Sequence, residues 1–182
     1  MADPWPRRGK ERVTKTAIFG VDRHRLVHPR HGTEHDFFIL DAPDWCNIVP
    51  LTRDGHVVMV RQGRHGIDAV TLELPGGVID PEDSSPLEGA RRELLEETGY
   101  RAASVEPLGS IAPNPAMQNN RCWSFIARDV ERVAELTLDG GEDIDVVLVP
   151  YAEIPARIAR GEIAHALVVV AFAYALGLRP PA

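Results

Sequence analysis

The stretch from Gly76 to Tyr100, GGVIDPEDSSPLEGARRELLEETGY, decides how this chain is read. Two glycines open it, an acidic loop follows, and the rest is patterned as a helix. Ser85 with Glu88 three residues on forms a capping box, Pro86 falls at the first helical position, and Gly99 stands where a left-handed C-terminal cap belongs. Leu87, Ala90 and Leu94 supply the buried stripe. Glu93, Glu96 and Glu97 are spaced i, i+3, i+4 and so project from one face about a turn apart. Like charges stacked in this way weaken an isolated helix by roughly 0.2–0.5 kcal/mol per pair. A divalent cation among them would offset that cost. Oxygen-only ligation by clustered carboxylates suits a hard ion such as Mg²⁺, which is usually shared with substrate phosphates.

Working outward, Leu72-Glu73-Leu74 reads as a strand, and Pro75-Gly76-Gly77 as a tight turn where backbone can come close to a ligand. Cys46–Thr52 and His56–Arg61 read as strands joined across Asp54-Gly55, a strong hairpin signal. Val70–Leu74, Glu106–Ile111, Arg121–Ala127 and Ile144–Val149 are further strands, and Glu153–Ala159 and Ile163–Leu176 are helices. At the N-terminus, residues up to Lys15 are polar and expected to be mobile. Thr16–Phe19, Arg25–His28 and Asp36–Leu40 read as a small antiparallel extension broken by Pro29-Arg30-His31-Gly32. The expected division is a β extension over 1–43 and a main domain over 44–182.

Composition sets limits. The chain has 182 residues, 44% of them hydrophobic, which is ample for one packed core. Its net charge of −7 argues against nucleic acid as a partner, so any phosphate must be held by local arginines and metal. Cys46 and Cys122 lack metal-type spacing and read as buried, reduced thiols. No apolar signal core opens the chain, and the apolar run from Ala164 to Leu178 is too short to span a bilayer. The expectation is a cytoplasmic protein without a membrane partner. The seven histidines show no paired metal spacing, and His165 reads as a satisfied core histidine. Trp45 and Phe37 read as packing residues sooner than as platforms for a base.

Residues 77–100 resemble the Nudix box: a glycine, a loop, then Arg92-Glu93-Leu94-Leu95-Glu96-Glu97-Thr98-Gly99-Tyr100. The second half matches position for position. The first half carries one extra loop residue, with Asp83 or Glu82 in the acidic slot. The resemblance extends to the ADP-ribose and nucleoside-diphosphate-sugar pyrophosphatase branch through Val60-Arg61-Gln62-Gly63-Arg64, Leu72-Glu73-Leu74-Pro75-Gly76-Gly77, Pro115 and the acidic segment Gly141-Glu142-Asp143-Ile144. Gly63 departs from that branch, which commonly has an aromatic there.

This resemblance implies an α/β fold, an α/β/α sandwich around a mixed sheet with the small N-terminal antiparallel extension. It implies Mg²⁺, with Mn²⁺ as a substitute, held by Glu93, Glu97, Glu96 and the Gly76 carbonyl. Arg92 would orient the carboxylates, and Glu142 would be the general base. Arg64 and Arg61 would reach the diphosphate. Glu73 would either pair with an arginine or support the metal site. Pro115 and Met117, in the polar loop Asn114–Arg121, would read a base, ribose or sugar. The implied reaction is hydrolysis of a nucleoside diphosphate linked to a sugar, and the implied assembly is a homodimer. Other nucleotide diphosphates, such as dinucleoside polyphosphates, NADH or coenzyme A, stand as alternatives. So does a catalytically silent nucleotide-binding module, although such modules usually lose the box glutamates that are retained here.

Overall fold

The structure, a computed structural model, describes residues 3–138, 140–141 and 143–178. Contacts divide the chain into two units, Met1–Pro43 with Ala112–Arg121, and Asp44–Ile111 with Cys122–Ala182.

The first unit is a three-stranded antiparallel sheet of β1 (Arg7–Lys15), β2 (Gly20–Val27) and β3 (Glu34–Asp41), in that order. Here the expectation for the N-terminus is corrected. Residues 7–15 form a strand, and residues 16–19 form the turn after it, where Thr16 Oγ1 accepts from the amides of Ile18 (3.2 Å) and Phe19 (3.0 Å). Cross-strand charge makes a strand of this wholly exposed polar segment. Lys10 Nζ lies 2.7 Å from Asp22, Arg12 bridges Asp22 and Asp41, and Glu11 pairs with Arg23. The 112–121 segment joins the same unit, with the Leu40 amide donating to the Met117 carbonyl at 2.7 Å and Asn119 Nδ2 donating to Asp41 at 2.6 Å.

The second unit holds a mixed sheet built from β4 (Trp45–Leu51), β5 (His56–Arg64), β6 (Ala69–Glu73), β8 (Ser104–Ile111), β9 (Cys122–Arg128) and β11 (Ile144–Pro150). The order runs β11-β5-β4-β9-β8, with β6 also on β5, and the β4–β9 pair is parallel. A separate short pair joins β7 (Tyr100–Arg101) and β10 (Glu131–Arg132). The helices are α1 (Pro86–Thr98), α2 (Ile154–Ala159), which follows a 3-10 turn at Tyr151–Glu153, and α3 (Ala166–Ala175). Helix α3 starts later than the apolar run suggests, because Ile163-Ala164-His165 are not helical.

Alternation along the strands separates two cores. Val49, Val57 and Met59 pack with Ile154, Val168 and Phe172 on one side. Ile48 and Val58 pack with Ala90 and Leu94 of α1 on the other. The result is an α/β/α sandwich, as the sequence led us to expect.

One irregularity in this sheet makes the site. Strand β11 runs along β5 from His56 to Gln62, so β4 and β6 must share the opposite edge. Strand β4 meets β5 only at Leu51↔Val57, whereas β6 takes Val60–Arg64. The two therefore splay. The segment after β6 turns into the gap and docks on β4, with the Ile48 amide donating to the Pro75 carbonyl (3.0 Å), Cys46 to Gly77 (2.9 Å) and Ile79 to Asp44 (3.0 Å).

Candidate functional site

Helix α1 forms as its local signals predict. Ser85 caps it by accepting from the Glu88 amide, Pro86 opens it, and Gly99 closes it at φ 72° with its amide on the Leu95 carbonyl. The turn Gly76-Gly77 lies against its inner face. A Cβ at Gly76 would stand 2.2 Å from the Cys46 carbonyl oxygen, so only glycine lets the turn dock on β4. The Gly76 amide donates to Glu97 Oε2 at 2.9 Å, which ties the turn to the helix.

Arg92 organises the remaining carboxylates. Its guanidinium forks onto Asp83, with Nε to Oδ1 at 3.2 Å and Nη2 to Oδ2 at 3.1 Å. It also donates to Glu96 Oε2 at 2.9 Å and to the Val78 carbonyl at 3.1 Å, and Glu93 Oε1 lies 3.1 Å away. These bonds hold the Asp83 carboxyl below the ordinary range and raise the Arg92 guanidinium further. Of the two candidates for the acidic slot in the long loop, Asp83 is the one that reaches Arg92. Its carboxylate also takes the Asp80 amide at 2.9 Å and lies over Gly89 of the helix.

Together these groups line a cleft of about 250 Å³ that includes Gln62, Arg64, Gly76, Gly77 and Thr137. Four carboxylates, Asp80, Glu93, Glu96 and Glu97, face two guanidiniums there, those of Arg64 and Arg92. Arg64 is itself engaged by Glu73, a fork of 2.7 and 2.6 Å outside that cleft. The cleft therefore carries surplus negative charge on oxygen donors, and Glu93 and Glu97 are more than nine-tenths buried. That donor set fits a hard divalent cation. Among the described residues, no three His, Cys, Asp or Glu side chains form a ready metal-ligand group; Glu93 and Glu96 lie on Arg92, and Glu97 accepts the Gly76 amide.

A second cavity, of about 260 Å³, adjoins the first and shares Arg64, Gly76, Gly77 and Val78 with it. Its walls include Trp45, Asn47, Glu73 and His165. Burial would raise the Glu73 carboxyl, but hydrogen bonds from Arg64 and from Thr71 Oγ1 (2.5 Å) prevail and hold it below its ordinary value. His165 is not the satisfied core residue expected from the sequence. It stands at the N-cap of α3, but its side chain makes no cap hydrogen bond, and its Nδ1 is buried with no partner among the described residues. Trp45, expected as packing, faces this cavity.

The other candidates fall elsewhere. Arg61 lines a neighbouring cleft with His65, Asp143 and Asp145, which meets the carboxylate cleft at Gln62. Pro115 and Met117 belong to the N-terminal unit, where Met117 is exposed. Glu142 lies outside the described residues. Thr137, whose amide donates to the Glu96 carbonyl at 2.9 Å, carries no sequence signal. Asn47 does carry one, as a lone amide inside the apolar run Cys46–Val49.

Comparison with known proteins agrees with this geometry. A family model described as NUDIX domain matches residues 43–169. An ADP-ribose pyrophosphatase of Mycobacterium tuberculosis is 29% identical over 154 residues, covering 84% of this chain and 74% of that protein. A GDP-mannose pyrophosphatase of Yersinia enterocolitica is 34% identical over 147 residues, 75% of each chain. The crystal structure of an ADP compounds hydrolase superimposes with a TM-score of 0.85 at 23% identity, covering 98% of this chain and 95% of that one.

Proposed function

We propose that this chain, which belongs to the Nudix family of hydrolases, cleaves the diphosphate of a nucleoside diphosphate linked to a sugar. Water attacks one phosphorus, the P–O–P bridge breaks, and a nucleoside monophosphate and a sugar phosphate leave. The observation that carries this reading is the cleft in which four carboxylates outnumber two arginines beside a glycine turn. The names of the relatives, pyrophosphatases of ADP-ribose and GDP-mannose, point to the same substrate class.

In this reading Glu93 and Glu97, assisted by Glu96 and the Gly76 carbonyl, hold Mg²⁺, for which Mn²⁺ can substitute. Bound there, the ion would neutralise diphosphate charge and make water more acidic. Arg92 keeps the glutamates aimed into the cleft. Arg64 binds a phosphate oxygen while Glu73 fixes its fork, and Arg61 adds positive charge at the cleft's edge. Glu142 takes the proton from the attacking water. Pro115 and Met117 contact the part of the substrate beyond the diphosphate.

A homodimer is part of the proposal, supported by Val13, Phe37 and Phe38, which the N-terminal sheet leaves exposed. Sedimentation at assay concentration tests it, and a strict monomer would refute it. No helix among the described residues is long and apolar enough to cross a membrane. A cytoplasmic location is proposed alongside, in keeping with two free, buried thiols.

The reaction is tested by Mg²⁺-dependent turnover of ADP-ribose, GDP-mannose, UDP-glucose, NADH, coenzyme A and diadenosine polyphosphates. Wild type is run beside Glu97→Gln and Glu142→Gln. The expected result is fast release of a nucleoside monophosphate from one sugar nucleotide, lost in both variants. Silence of the wild type on every substrate, with tight binding of one, would replace the enzyme by a binding module.

A further inference from the structure

The cavity beside the carboxylate cleft holds two polar atoms that no described residue satisfies. Asn47 is 6% exposed, and its Nδ2 donates to the Leu167 carbonyl at 3.2 Å. That bond fixes the amide's orientation and leaves Oδ1 as a buried acceptor without a donor. His165 Nδ1 is the second such atom. Both residues line the same cavity, together with the Arg64–Glu73 fork and Trp45. A buried polar group without a partner is costly, so two in one cavity point to a ligand that completes them.

The chemistry of that ligand can be narrowed. Asn47 Oδ1 requires a donor, whereas His165 Nδ1 offers or accepts a proton according to its tautomer. A hydroxyl meets both requirements, being donor and acceptor at once. Among the described residues, Trp45 gives the cavity its one indole or phenyl wall, and the His165 imidazole is the other ring on it. Charged, imidazole and amide edges beside a single indole match a sugar, with hydroxyls at the edges and C–H groups on the indole face.

We infer that Asn47 and His165 form the seat of the substrate's sugar hydroxyls and set the selection among diphosphate-linked sugars. The inference rests on the diphosphate being held in the adjoining carboxylate cleft, with which this cavity shares Arg64, Gly76 and Gly77.

The test compares wild type, His165→Ala and His165→Asn on ADP-ribose, on its analogues lacking one hydroxyl of the distal ribose, and on inosine diphosphate ribose. The His165 side chain makes no cap hydrogen bond to α3 and is only half-buried, so the folds should be equal, which melting curves check. His165→Ala should raise KM for ADP-ribose about tenfold, the scale of one lost hydrogen bond, with kcat changed less than about threefold. His165→Asn, whose side-chain oxygen can stand near the place of Nδ1, should recover most of that loss. One deoxy analogue should show the same loss with wild type and no further loss with His165→Ala.

An unchanged KM, additive losses for every analogue, or a shift in adenine-against-hypoxanthine preference would overturn the seat. If wild type hydrolyses no sugar nucleotide, the proposed reaction fails separately. Calorimetry with ribose 5-phosphate then judges the seat alone: weaker binding to His165→Ala supports it, and equal binding overturns it.

Discussion

Glu93 occupies the space that a side chain on Gly77 would need: a Cβ there would stand 2.5 Å from Glu93 Oε1. The neighbouring glycine is constrained differently, because a Cβ on Gly76 would meet the Cys46 carbonyl at 2.2 Å. One clash is with the end of a side chain and the other with backbone, so the two positions separate activity from folding. Gly77→Ala should fold with a melting temperature near wild type and lose activity by about tenfold to a hundredfold, because its glutamate is displaced. Gly76→Ala should lose roughly 1–3 kcal/mol of stability, since strand β4 cannot yield. Urea unfolding and turnover, measured on both, check the contrast.

Glu97 accepts the Gly76 amide at 2.9 Å. Glu97→Gln keeps an acceptor oxygen but removes the charge. Its stability should stay close to wild type while kcat falls by about 10²–10³, the scale of losing one electrostatic stabiliser. Calorimetric titration with Mg²⁺ or Mn²⁺ should show weaker binding in the variant. Undiminished metal affinity would remove Glu97 from the ligand set.

Arg92 reaches Asp83 with a fork and Glu96 with its third nitrogen. Lysine cannot reproduce those parallel bonds. Arg92→Lys should lower kcat/KM by roughly tenfold or more while preserving net charge. Asp83→Asn should lower it less, because Glu96 and Glu93 remain on the arginine. Kinetics of the two variants, ranked against each other, provide the check.

Glu73 is held below its ordinary pKa of 4.5, with burial opposing and Arg64 and Thr71 prevailing. Its folded-state pKa is depressed, so its contribution to stability is complete above the unfolded value and is lost as pH falls through the folded one. Glu73→Gln should therefore cost about 1–2 kcal/mol at pH 7, a figure reduced because the Arg64 side chain is 40% exposed. The gap between wild type and variant should narrow below about pH 4. Denaturant unfolding of both proteins at the two pH values measures it.

Much of α1 is legible in the amino-acid sequence. Its cap, its first proline, its terminal glycine and its i, i+3, i+4 carboxylates are relations among residues one turn apart. The hairpin at Asp54-Gly55 is legible for the same reason, and there the Thr52 amide donates to the His56 carbonyl at 2.9 Å. Strand β1 is not legible. Every residue from 7 to 15 is exposed, and what makes the segment a strand is its pairing with Asp22, Arg23 and their neighbours. The start of α3 is hidden as well, because apolarity continues across Ile163-Ala164 without marking where the helical hydrogen bonds begin.

Local chemistry thus announces the family box, the glycine turn and the residues that crowd negative charge together. It leaves open whether Glu73 takes an arginine and which one, and it does not reveal that Arg61 turns to a neighbouring cleft or that Asn47 and His165 share a cavity. Asn47 bonds to Leu167, 120 residues further along the chain. That meeting depends on β4 and β6 splaying along one edge of β5 and on the start of α3 lying against β4. Neighbours one helical turn apart meet whatever the rest of the chain does; residues this distant meet only after sheet order and burial have closed the loop between them.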